Sequence, residues 1–105
     1  MKEKHQYTSA LAYGSMRFNL DNLRVELINH FNKNSTRVFH YLAEDAPHFL
    51  YGYHSEGISV HIQEDRGTQA TGPRFIDITL VSEVRPTLSI EEKIEEIAEK
   101  HKKSS

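Results

Sequence analysis

Between Tyr51 and Ile62 aromatic and aliphatic side chains alternate with small and polar ones, and the alternation reverses at Glu56-Gly57. Taking those two residues as the centre of a two-residue turn sets Ser55 opposite Ile58, Tyr53 opposite Val60 and Tyr51 opposite Ile62. Side chains on a strand alternate in direction. Tyr51, Tyr53, Ile58, Val60 and Ile62 then share one side of a hairpin, and Gly52, His54, Ser59, His61 and Gln63 the other. A slip of one residue would exchange the two sets, so burial of the first fixes the register. No other stretch constrains the fold as tightly.

The flanking segments extend the pattern. Arg37–Leu42, Phe49–His54, Ile58–Glu64 and Arg74–Val84 are rich in β-branched and aromatic residues at period two, which predicts four strands. Phe39 and Tyr41 alternate with Val38, His40 and Leu42, and Ile76, Ile78 and Leu80 alternate with Phe75, Asp77, Thr79 and Val81. Tyr7–Tyr13 alternates as well and is a candidate fifth strand. Ala46-Pro47 separates the first two strands. Residues 64–73 hold no apolar anchor beyond Ala70 and are expected to form a mobile loop.

Two segments have helical periodicity instead. Leu20, Leu23, Leu27, Ile28 and Phe31 form a stripe over about 20–33, with Asn19 or Asp21 as the N-cap. Ile90, Ile94, Ile97 and Ala98 form another over about 89–102, with Ser89 and Glu92 as a capping box. Both stripes need an apolar surface, and the Tyr/Ile/Val/Leu side of the sheet supplies it. The expected fold is α+β: an antiparallel meander of four to five strands with two α-helices packed on one face. The 105 residues read as a single domain, with 1–6 and 103–105 expected to fray.

Composition narrows the chemistry. The chain contains no cysteine, which excludes disulfides, thiolate metal sites and thiol nucleophiles. A net charge of −2 argues against a module that tracks a nucleic-acid backbone by bulk charge. Neither an apolar signal core nor a membrane-length apolar run is visible, and a cytoplasmic protein is expected.

The helix-free side carries the candidate site. Seven histidines are many for this length, and His54 and His61 fall on adjacent strands as diagonal neighbours. With His40 they make a candidate divalent-metal set, although no metal-ligand spacing motif is present and no cofactor is expected. No G-x-S-x-G elbow or phosphate-binding G-x4-G-K-S/T loop occurs.

The stretch Tyr51-Gly52-Tyr53-His54-Ser55-Glu56, followed by Arg74 on the last long strand, resembles the carboxylate and arginine strands of small barnase-like ribonucleases. That resemblance implies metal-independent RNA cleavage, with His54 or Glu56 and His61 as base and acid and Arg74 as the cation on the phosphorane. The order of elements is also similar to that of phage tail-completion subunits, which implies a structural subunit of a ring.

A third reading comes from the mixture on that face. Val38, Leu42, Phe75 and Val81 beside His40 and Asp77 combine apolar area with polar groups as an interface does. The expected function is therefore a small cytosolic, non-enzymatic protein that binds a protein partner or itself, as a homo-oligomer, through the face away from the helices. The ribonuclease is the alternative, and neither membrane nor nucleic acid is the expected partner.

Overall fold

A computed structural model of the chain describes residues 6–43, 48–65 and 74–104, the side chains of 39–43, 48 and 49 excepted. Five strands and two helices follow in the order β1 (Tyr7–Gly14), α1 (Leu20–Asn34), β2 (Thr36–Ala43), β3 (His48–Ser55), β4 (Ile58–Asp65), β5 (Phe75–Ser82) and α2 (Leu88–Lys100). The strands form one antiparallel sheet in the order β1-β5-β4-β3-β2. Strands β2 to β5 are a meander, and β1 closes it on the far side of β5. The expected α+β class, with both helices on one face, is the fold observed.

The β3–β4 hairpin has the register read from its alternation, with Ser55 opposite Ile58, Tyr53 opposite Val60 and Tyr51 opposite Ile62. Its turn has positive φ at both central residues, 48° at Glu56 and 86° at Gly57, the combination that matches the twist of the flanking strands. Pairing carries this phase across the sheet, so that Leu11, Ile78, Ile62 and Tyr51 stand in one row, and Tyr13, Ile76 and Glu64 in another. On this side Ile58, Val60, Ile62, Ile76, Ile78 and Leu80 are fully buried, in one core with Leu23 and Leu27 of α1 and Ile94 and Ile97 of α2. Phe31 of α1 stacks on Tyr53 at a centroid distance of 5.4 Å.

Three details differ from the sequence reading. Helix α2 is not capped at Ser89. Its N-cap is Thr87, whose hydroxyl donates to Glu91 at 2.9 Å and so receives the Ser9 hydroxyl, also at 2.9 Å. The Thr87 side chain makes no cap hydrogen bond of its own, and the helix starts two residues before the position local sequence suggests. The strand β4 runs on through Glu64 and Asp65, which the loop expectation included; 66–73, like Ala46-Pro47, lie outside the described residues.

The third difference is a register shift between Arg37 and Phe39 in β2. Beyond it His40 pairs with Tyr51 and Leu42 with Phe49, positions of the helix-bearing side, while Phe39 and Tyr41 pair with Gly52 and Leu50. One extra residue at a bulge reverses the phase of everything after it. The end of α2 is also tied down: Asn19 N–H donates to His101 O at 2.8 Å and Lys103 N–H to Arg17 O at 2.7 Å.

Candidate functional site

The side of the sheet away from the helices is open, with a cavity of about 490 Å³ at one end lined by Ala12, Gly14, Met16, Arg17, Phe18 and Phe75. Its rows read Thr8, Val81, Ser59, His54; then Ala10, Thr79, His61, Gly52; then Ala12, Asp77, Gln63, Leu50; then Gly14, Phe75 and Asp65. Five strands at about 4.8 Å spacing and eight residues at about 3.3 Å each make a platform of roughly 24 by 26 Å. Phe75 is 43% exposed on it, and Val38, at the bulge on the sheet edge, is 63% exposed. His54, His61, Gln63 and Asp77 are exposed, while Leu50, Thr79 and Val81 are half-buried.

The register makes His54 and His61 the diagonal neighbours expected of them, since Gly52 pairs with His61 and His54 with Ser59. The side chain of His40 lies outside the described residues, and its backbone position belongs to the other side. Among the described residues no group of three or more His, Asp or Glu is placed to hold a metal ion.

Arg74 is not on this face. It precedes Phe75 and shares the phase of Ile76, so its guanidinium lies on the helix side, where its Nη2 donates to Glu64 Oε1 at 2.6 Å and to Asp21 Oδ1 at 2.9 Å. Glu56 is likewise apart, in the hairpin turn and paired with Arg85. The four residues of the ribonuclease reading are therefore divided: His54 and His61 on the open face, Glu56 at its end, Arg74 behind it.

The cluster that holds Arg74 is the densest charge arrangement described. Glu64 has a side chain only 1% exposed and also accepts from Arg24 Nη1 of α1 at 2.6 Å. Hydrogen bonding to Asp21, then to Glu64, raises the pKa of Arg74 against the opposing effect of burial. Two arginines face two carboxylates, so the formal charge cancels and no cation is left over for an anionic ligand. The cluster ties α1 to β4 and β5. Its signal was present in the sequence: Glu64 stands at the apolar phase of β4 after Ile58, Val60 and Ile62, and Arg74 at that of β5.

Comparison with protein-family models, with curated proteins and with solved structures gave no match. No helix among the described residues is long and apolar enough to cross a membrane.

Proposed function

We propose that this chain is a small, non-enzymatic, cytoplasmic protein that self-associates, with the helix-free sheet face as its contact surface and a second copy as the occupant. The observation that carries the reading is the make-up of that face: its described strand residues include exposed apolar side chains and no lysine or arginine, and the cation beside it is Arg17, which lines a cavity with Ala12, Gly14 and Phe75 at one end. Affinity for nucleic acid comes mainly from many cations on phosphates, and the strands of this face offer none, with Arg17 at one end alone. A ribonuclease would also need a cation at the phosphorane, and the arginine expected to supply it is paired with Glu64 and Asp21 behind the sheet.

Size favours a copy of the chain. The platform projects to roughly 600 Å², against the ~800 Å² per partner of a standard interface. With carboxylates and imidazoles rather than lysines on it, two such faces meet without opposed fixed cations.

Light scattering on the wild type and on Phe75→Asp tests this. The wild type is expected as a dimer or larger assembly and the variant, still folded, as a smaller one that has lost the face contact. A wild type strictly monomeric at millimolar concentration overturns the reading, as does RNA cleavage that persists in EDTA and disappears in His61→Ala.

A further inference from the structure

The two edges of the sheet are built differently. An edge strand presents unpaired N–H and C=O groups, and soluble proteins blunt it with charge, proline, a bulge or a cover. Strand β2 carries Arg37 and the register shift beside it. Strand β1, Tyr-Thr-Ser-Ala-Leu-Ala-Tyr-Gly, has neither charge nor proline, and it pairs with β5 without interruption over all 8 residues. Its outer side is open: Ser9 and Leu11 lie on the helix side yet remain partly exposed, whereas their β5 partners Leu80 and Ile78 are fully buried. Leu88, at the start of α2 and close to this strand, is 61% exposed.

We infer that β1 pairs with β1 of a second copy, antiparallel and about a two-fold axis at Ala10, to form a continuous ten-stranded sheet. The strand is its own complement. Antiparallel partners directly opposite one another share a face, so a register in which positions sum to 20 keeps both faces in phase: Ala10 meets Ala10, Thr8 meets Ala12, and Ser9 meets Leu11. An uncharged strand meets itself without repulsion, which a copy of β2 with Arg37 would not. Small residues at Ala10 and Ala12 leave the backbone accessible from the open side. The axis is perpendicular to the sheet, so all four helices of the pair lie on one side and the helix-free platform doubles in width. This contact is independent of the face contact proposed above; together they would build assemblies larger than a dimer.

Because the chain contains no cysteine, single introduced cysteines report the geometry directly. Thr8→Cys, Ala10→Cys and Ala12→Cys are compared with Gln63→Cys, at the centre of the sheet face, under mild oxidation of the otherwise wild-type protein. A disulfide needs Cα atoms within about 7 Å. Only Ala10 meets its own symmetry mate; Thr8 and Ala12 lie four residues from theirs, about 13 Å along the strand. Ala10→Cys is expected to cross-link rapidly, and Thr8→Cys and Ala12→Cys at least tenfold more slowly. Equal rates at the three β1 positions, or no cross-linking at Ala10→Cys, overturn the inference. Cross-linking confined to Gln63→Cys overturns it too, while leaving the face contact standing.

Discussion

Replacing Glu64 by glutamine keeps the shape of the side chain and removes its charge from between two guanidinium groups. The carboxylate is 1% exposed and accepts one 2.6 Å hydrogen bond from Arg24 and another from Arg74. An amide offers one acceptor oxygen and turns an NH2 toward the second arginine, so one charge-assisted bond becomes a clash of donors. Breaking a buried ion pair costs about 3–5 kcal/mol when the remaining charge stays buried. Here the arginine side chains are 21% and 34% exposed, so part of their charge regains water. The expected loss is about 2–4 kcal/mol, a large fraction of the roughly 5–15 kcal/mol that holds a domain of this kind folded.

Urea unfolding followed by circular dichroism suits a chain with no tryptophan. At a slope of about 1–2 kcal/mol/M the midpoint should fall by roughly 1–4 M. In an Arg24→Met background the same substitution should cost less, because one of the two stranded cations is gone. High salt should leave the difference nearly unchanged, since a buried pair is little screened. A Glu64→Gln protein within about 0.5 kcal/mol of wild type would refute the reasoning, because it would mean that both arginines reach solvent at no cost.

Tyr13 has a buried hydroxyl with no hydrogen-bond partner among the described residues, and burial, with Glu95 adding to it, pushes its pKa up to about 12. Tyr13→Phe is expected to stabilise by about 1 kcal/mol. A raised folded pKa means that the wild type keeps its full stability below about pH 10 and loses it as pH climbs toward 12, a loss that thermal melts should find reduced in Tyr13→Phe. Gly57 has φ of 86°, and a Cβ there would stand 2.6 Å from Val84 Cγ2. Gly57→Ala should therefore cost about 1–3 kcal/mol by chemical denaturation, with Val84→Ala relieving only the steric part. The hydrogen bond from His101, then Lys100, holds the carboxyl of Glu26 below its usual range, against burial. The stability from this link is present above the unfolded carboxylate value and is lost as pH falls through the folded one. His101→Ala should move the Glu26 carboxyl midpoint in an NMR titration upward, toward the ordinary glutamate range, with Lys100 still holding it part of the way down.

The parts of the fold legible in the sequence are those specified locally. The hairpin register follows from alternation on both sides of Glu56-Gly57, and the helix stripes from Leu20 to Phe31 and Ile90 to Ala98 are written in single segments. What escaped depends on neighbours distant in the chain. The shift between Arg37 and Phe39 leaves no mark in composition, because Val38, Phe39 and Tyr41 suit a strand in either phase. Thr87, at the start of α2, is held to the Ser9 hydroxyl 78 residues away, a contact that local sequence does not show. The Glu64 cluster was half legible: an acid at the apolar phase of β4 announces a buried charge, but its partners come from α1 and from beyond the next loop.

Arg74 shows why the site cannot be chosen by residue type alone. For it to reach the open face at all, β5 would have to slip by one residue against β4. That slip moves every side chain of β5 to the opposite side, Ile76, Ile78 and Leu80 included, all now fully buried. Exposing three such side chains costs about 5–9 kcal/mol, comparable with the whole stability of a small domain. The slip would also strand Glu64 with one arginine instead of two. The aliphatic phase of β5 therefore holds Arg74 behind the sheet and keeps it from the histidines of the open face. A face whose strands carry no lysine or arginine, bounded on one edge by a strand without charges, is suited to meeting a surface like itself.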